Sequence, residues 1–255
     1  LDISYSNHAT LNTVENIKVS GDLGAGYDIY SLNTANTTNT VRTIDLSGLK
    51  NVEKGTIALD NSNTNLLSLK ATSGDDKVTL IDNMLIGNVA NNVDIDLGAG
   101  DDEIITKTLV ANKTVTINGG AGNDLFDVRG SKTDVDASKY VVIGDVSGGD
   151  KIKFDALVQA SGFERVQDNV VKDATTLKEA INLAIESNQS ASPILNKVFY
   201  FTYAGDTYVV HNAASTAVGI KDTLTANDTV VKLAGVRSDD LILTADYTEG
   251  TLNIN

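Results

Sequence analysis

The chain has 255 residues, enough to bury a real core as one long domain or two unequal ones, and its 41% hydrophobic content argues against wholesale disorder. Twenty Lys and Arg against 34 Asp and Glu give a formal charge of -14, which disfavours nucleic acid and anionic membrane as partners and favours divalent cations. With no cysteine there is no disulfide framework, thiolate metal site or thiol nucleophile, and with no Trp and 5% aromatics the core must come from Val, Ile and Leu.

The chain starts Leu1-Asp2-Ile3, neither a start methionine nor a signal peptide, so it reads as a piece of something longer, and if it is exported the export address is not at this N-terminus. No run approaches the ~18 apolar residues of a membrane span. From Ile17 to Tyr30 a short alternating strand leads through a Gly-rich turn ending in Asp28 into a second alternating strand. A degenerate version, Ile44 to Leu49, continues toward Ile57-Ala58-Leu59 without the Gly-x-Asp core. The full frame returns at Leu67-Ser68-Leu69 leading into Ser73 to Val78, at Val93 to Ile105, at Val115 to Val128, and at Val141-Val142-Ile143 leading into Gly148 to Ile152.

First strands begin at 17, 44, 67, 93, 115 and 141, in steps of 27, 23, 26, 22 and 26 residues. Such steps are too short for a βαβ unit and suit one solenoid coil of two short strands and two turns. The Gly-x-Asp turns then stack on one edge. Loops rich in Asn and Thr, at 32–40, 60–65 and 85–92, stack on the other, and pairs such as Ile17/Val19, Val93/Ile95 and Val115/Ile117 point inward. A lone Gly-x-Asp is an ordinary turn. Five copies in one strand frame are what favour a repeat architecture.

Gly119-Gly120-Ala121-Gly122-Asn123-Asp124-Leu125-Phe126-Asp127 fits the pattern Gly-Gly-x-Gly-x-Asp-x-apolar-x at every position. The copies at 23–31 and 97–105 keep all but the first glycine; those at 71–79 and 145–153 keep the fourth-position glycine, the Asp and the apolar residue. Calcium is a hard cation that takes about six to eight oxygen ligands. Glycine lets the chain curl so that carbonyls supply many of them, and one Asp per turn adds carboxylate. The nonapeptide resembles the repeat of the RTX (repeat-in-toxin) calcium-binding family. That resemblance implies an all-β fold: a right-handed parallel β-solenoid, or β-roll, over residues 1–154 with calcium turns on one edge, then a β-rich C-terminal cap with one helix over 155–255.

In that family several Ca2+ ions sit between successive turns. The resemblance therefore implies a contiguous row at Asp102, Asp124 and Asp150, joined by Asp76, with carbonyls near Gly98, Ala99, Gly100, Gly119, Ala121 and Gly122 completing the shells. Gly26, Gly74 and Gly148 hold the fourth position in the other copies, and Asp28 is set apart from the row by the degenerate rung. Asp75, Asp101 and Asn123, at the fifth position, are second-rank ligands; Asp22 and Asp96 read as solvated or outlying. The nonapeptides are not consecutive, which gives one calcium edge and one variable edge and resembles the RTX portions of bacterial S-layer proteins more than compact protease or lipase arrays.

Past Phe154 the rhythm breaks. Apolar residues at 177, 180, 181, 184 and 185 within Ala174 to Ser187 predict the one substantial helix. Strands are expected at Val198 to Tyr203, Thr207 to His211, Thr229 to Leu233 and near Leu241 to Leu243. A solenoid's open end exposes strand edges and core, so a cap is required. Phe199 to Val210 and Asn227 to Gly235 also resemble the C-terminal portion of RTX S-layer and other type I-secreted proteins, where an uncleaved C-terminal signal directs export; the low-charge ending Thr251 to Asn255 is consistent with that. Asp206, Asp222 and Asp228 read as turn residues first, with a place on additional ions as the second reading.

The histidines are His8 and His211, and neither His-Glu-x-x-His nor Gly-x-Ser-x-Gly occurs. His211, at a strand end, reads as a plain surface residue. The expectation is a non-enzymatic, extracellular surface protein that partners itself in a lattice or homo-oligomer, with cell-surface lipopolysaccharide a further partner through an upstream region. Two other readings stay open: the RTX tail of a large adhesin, and the secretion tail of an enzyme whose catalytic domain lies outside this sequence.

Overall fold

A computed structural model of the chain describes residues 2–4, 15–22, 29–33, 42–59, 66–80, 92–106, 114–133, 136, 139–155, 163–187, 197–213 and 223–255. The loops at 60–65 and 85–91 and most of 32–40, expected on the variable edge, lie outside the described residues. Two sheets wind through the molecule. One takes β1 (Asp2–Ser4), β3 (Ile29–Asn33), β5 (Lys54–Leu59), β7 (Asp75–Leu80), β9 (Glu103–Thr106), β11 (Leu125–Asp127) and β13 (Lys151–Lys153) side by side. The other takes β2 (Asn16–Asp22), β4 (Thr43–Lys50), β6 (Ser68–Lys70), β8 (Val93–Asp96), β10 (Val115–Asn118) and β12 (Val141–Asp145). Neighbours in each series are parallel, so the chain alternates between sheets once per half turn, as a β-solenoid does. Each of the six expected first strands exists, its start within about one residue of the sequence frame.

Alternation produces this packing. In β8 the order Val93-Asp94-Ile95-Asp96 is buried, exposed, buried, exposed, and β10 repeats it with Val115 and Ile117 inward. Parallel register then aligns like with like: Val93, Val115 and Val141 form one column, and Ile95, Ile117 and Ile143 the next. In the facing sheet the column is Val78, Ile104, Phe126 and Ile152. All ten side chains are fully buried in one continuous core. A slip of one residue in any coil would turn its apolar pair out to solvent, which fixes the register.

The C-terminal residues extend both sheets. β17 (Thr229–Leu233) pairs in parallel with β12, setting Val231 on Val141 and Leu233 on Ile143, so the core columns run on. β16 (Asp206–Asn212) and β15 (Lys197–Tyr203) add antiparallel strands, joined by a two-residue turn in which Ala204 and Gly205 both have positive φ, 52° and 93°. β14 (Phe163–Arg165) closes that edge. On the other sheet β19 (Thr251–Ile254) pairs antiparallel with β13, placing Leu252 on Ile152, and β18 (Leu243–Asp246) flanks it.

The helical stripe forms α2 (Leu177–Ser187), starting three residues later than the sequence reading, after a short turn of helix, α1 (Asp168–Val171). Thr176 caps α2 through Glu179 N–H (3.2 Å), and the Glu179 carboxylate reaches back to Thr175 N–H (2.8 Å). Ala180, Ile181, Ala184 and Ile185 bury against Phe199, Phe201, Tyr208, Val210 and Val230, a second core on the far side of β15 to β17. That explains the near-continuous apolar run Phe199 to Val210: these strands are covered on both faces.

The segment Thr251 to Asn255, read as a low-charge tail, is therefore in large part a core strand. Replacing Leu252 with Ala is expected to cost ~2–5 kcal/mol of unfolding free energy, measured by denaturant melts. A change within the ~0.5 kcal/mol typical of surface substitutions would show that β19 contributes nothing to the core.

Candidate metal-binding edge

The period of two decides where the aspartates go. In each of the four described Gly-x-Asp turns the Asp stands two residues before a core side chain: Asp76 before Val78, Asp102 before Ile104, Asp124 before Phe126 and Asp150 before Ile152. Both members of each pair share the inward face, so four carboxylates line up buried at one edge of the core. The residues before them, Asp75, Asp101 and Asn123, face outward and are exposed.

The buried carboxylates tie coil to coil. Asp76 N–H donates to Asp102 Oδ1 at 2.7 Å, Asp102 N–H to Asp124 Oδ1 at 2.9 Å, and Asp124 N–H to Asp150 Oδ1 at 2.9 Å. An outer ladder runs alongside: Asp101 N–H donates to Asp75 Oδ1 at 2.9 Å, and Asn123 N–H to Asp101 Oδ1 at 2.8 Å. The fifth-position residues thus act as turn-to-turn hydrogen-bond acceptors or donors.

The second carboxylate oxygens divide the row. Asp76 Oδ2 accepts from Thr72 N–H (2.7 Å) and the Thr72 hydroxyl (2.8 Å), and Asp150 Oδ2 from Ser147 N–H (2.7 Å). Asp102 Oδ2 and Asp124 Oδ2 are buried without any hydrogen-bond partner. Each belongs to a residue 1% exposed, so neither reaches bulk water. An ionised oxygen left in that state is expensive, and it needs a proton or a cation.

The turns pack tightly enough to demand glycine. Ala99 and Ala121 form a parallel bridge, with Gly100 N–H donating to the Ala121 carbonyl (2.8 Å) and Ala121 N–H to the Gly98 carbonyl (3.1 Å). Gly120 has φ of 94°, and a Cβ there would collide with the Gly98 carbonyl oxygen; Gly122 approaches Gly100 in the same way. Gly74 lies beneath the Val52 carbonyl, Gly119 against Asp124, and Gly148 near Asn255. Asp145 closes the stack by accepting from Gly119 N–H (2.8 Å) and Gly120 N–H (3.0 Å).

Burial pushes the Asp102 carboxyl up to about 8, reinforced by the charges of Asp76, Asp124 and Asp75 and opposed by the hydrogen bond from Asp76 N–H. Burial also pushes Asp124 up to about 6, with Asp150, Asp145 and Asp101 adding to it and the Asp102 N–H opposing. Among the described residues no three His, Cys, Asp or Glu side chains meet at one point. An ion here would take carboxylate oxygen plus main-chain carbonyls, a hard all-oxygen set suited to calcium and not to zinc. The orphaned oxygens and the glycine turns both fit such an ion.

Asp28, Gly26, Asp222 and His8 lie outside the described residues. Asp22 and Asp96 are exposed. Asp206 pairs with Lys232 (2.7 Å), and Asp228 accepts from Thr225 N–H in its own turn (2.6 Å) and from Ala213 N–H just past β16 (2.8 Å). The surface reading of His211 is corrected: it is 1% exposed, with its ring 5.9 Å from that of Phe154, because β16 is a central strand covered on both faces. Sequence reasoning missed Thr72, Ser147 and Asp145 as partners of the row. It also missed the buried Asp127, held in a fork by Arg129 Nε (2.9 Å) and Nη2 (2.5 Å). No protein-family model matches the chain, and no curated protein matches it.

Asp102 and Asp124 carry folded-state values above the ordinary 3.8, so metal-free folding takes up protons between about pH 4 and 8 and is weakened as pH rises through that window. Metal-stripped protein should therefore melt at a higher temperature at pH 5.5 than at pH 8 in a thermal scan. A calcium ion needs the carboxylates ionised, so in calcium the order should reverse. Separately, Gly120→Ala should unfold the metal-free edge outright, read as lost β signal in circular dichroism.

Proposed function

We propose that the chain is a calcium-stabilised structural β-solenoid that completes its folding outside the cell and serves as part of a surface layer. The observation that carries this reading is the pair of buried, unpartnered carboxylate oxygens on Asp102 and Asp124, set among stacked glycine turns. Bound calcium supplies positive charge that neutralises them. The chain's own residues do the rest: Asp76, Asp102, Asp124 and Asp150 hold successive coils in register, the glycines bring carbonyls close, and the apolar columns fix the spacing.

The magnitudes suit a switch set by calcium concentration. A ligand at ten times its dissociation constant stabilises the folded state by about 1.4 kcal/mol per site. Two or more sites then weigh appreciably against the ~5–15 kcal/mol of an ordinary domain. Calcium-poor cytosol would leave the edge loosened, and calcium-rich surroundings would close it. The formal charge of -14 adds repulsion that divalent cations relieve.

A structural role is supported by what the edge offers chemically: hydrogen bonds that link one coil to the next. The S-layer assignment, with self-association into a lattice and type I export, rests on the resemblance of the repeats and of residues 199–210 and 227–235 to RTX surface proteins. In this reading those residues are cap strands, covering the end of the coil stack.

Two measurements test it. Circular dichroism and thermal melting with calcium and with excess chelator should show a more ordered, higher-melting protein in calcium; identical spectra and melting temperatures would overturn the calcium reading. Electron microscopy at high calcium should show two-dimensional arrays, and particles that stay dispersed at every calcium concentration would overturn the lattice.

A further inference from the structure

The four turns of the row occupy equivalent places in the coil but differ three and four residues before the aspartate. Thr72 stands where the inner turns have Gly98 and Gly120; Ser147 stands where they have Ala99 and Ala121. The outer turns thereby point local donors at their own carboxylate: Thr72 N–H and hydroxyl on Asp76 Oδ2, Ser147 N–H at 2.7 Å and hydroxyl at 3.4 Å on Asp150 Oδ2.

In the inner turn at 119–127 the corresponding donors are drawn away to neighbouring coils. Gly120 N–H donates to Asp145 Oδ2, and Ala121 N–H to the Gly98 carbonyl. Glycine and alanine bring no hydroxyl to replace them. Asp124 Oδ2 is left orphaned, as is Asp102 Oδ2 in the turn below.

The flanks differ as well. The turn at 71–79 rests on Val52 and Glu53, where Asp75 N–H meets the Glu53 carbonyl at 2.7 Å and no Gly-x-Asp follows. The turn at 145–153 is covered by β19, with Gly149 N–H on the Ile254 carbonyl (2.8 Å) and Ile254 N–H on the Asp150 carbonyl (2.9 Å). Neither outer turn has a second glycine turn on its far side.

We infer that the calcium-dependent part of the row is confined to Asp102 and Asp124, and that Thr72 and Ser147 act as built-in hydrogen-bond stops that hold Asp76 and Asp150 without an ion. The inference rests on the calcium reading above and deepens it. The row is then a cation-switched centre between two permanently locked ends. Calcium orders β8 to β11, while β7 with its hydroxyl stop and β12, β13 and β19 with theirs stay folded in its absence.

The test combines calcium titration calorimetry on three forms of the full chain with hydrogen exchange on the unmodified one. The double variant Asp102→Asn/Asp124→Asn should lose calcium affinity by at least ~10–100-fold, whereas Asp76→Asn/Asp150→Asn should keep the calcium stoichiometry and lower the melting temperature equally in chelator and in calcium. In the unmodified protein, calcium-induced protection from exchange should concentrate in peptides covering 97–106 and 114–127. Outer substitutions that abolish calcium uptake as fully as inner ones, or equal protection gains across all four turns, would overturn the inference while leaving the calcium reading standing. An unmodified protein that takes up no calcium would overturn both.

Discussion

The structure depends on burying one carboxylate in each of four successive coils, on the side that faces the core. Parity imposes it: an Asp two residues before a core Val, Ile or Phe must point the same way as that residue. Parallel stacking then repeats the placement coil after coil, so like charges accumulate along one line. Backbone N–H groups of the preceding coil satisfy one oxygen of Asp102, Asp124 and Asp150. What satisfies the other oxygen differs between turns: local donors reach it in Asp76 and Asp150, and no hydrogen bond reaches it in Asp102 and Asp124.

The apolar core and the acidic edge are therefore one device. Columns such as Ile95, Ile117 and Ile143 hold coils at strand spacing, and that spacing sets the Asp carboxylate within reach of the preceding turn's amide. Strand spacing is about 4.7–4.9 Å, which leaves no room for a Cβ at Gly98 or Gly120. The cap completes the device by continuing both sheets. β17 extends the columns of β12, and β19 pairs with β13 and covers the last turn, so both sheets continue past the final coil. The hydroxyl cluster of Thr106, Ser131 and Thr229 does similar work on the opposite edge, where Thr106 Oγ1 meets Ser131 Oγ at 2.7 Å.

Most of the coil was legible because it is written in short-range pattern. Alternation at Val93/Ile95 and Val115/Ile117, the recurring Gly-x-Asp and the near-constant steps together specify strands, turns and their stacking. The parity of Asp75 against Asp76 and of Asp101 against Asp102 follows from the same rule. What stayed hidden depends on contacts between coils or between distant segments. Asp145 reaches Gly119 and Gly120 across 25 to 26 residues, and the pairing of β19 with β13 spans about a hundred, so no local signal announces either. Thr72 was detectable in principle, since a threonine in place of a glycine four residues before the Asp is visible once the turns are aligned. His211 was misread because strand β16 is buried on both faces, which only the docking of α2 on one side and the coil core on the other makes true.

The most direct measurement is a high-resolution crystal structure of the protein grown in calcium, with anomalous scattering used to identify the ion. The account predicts strong peaks beside Asp102 Oδ2 and Asp124 Oδ2, each ringed by carboxylate and main-chain carbonyl oxygens at about 2.3–2.6 Å. Asp102 and Asp124 oxygens lying bare or protonated in saturating calcium, with ions found only at scattered surface carboxylates, would contradict it.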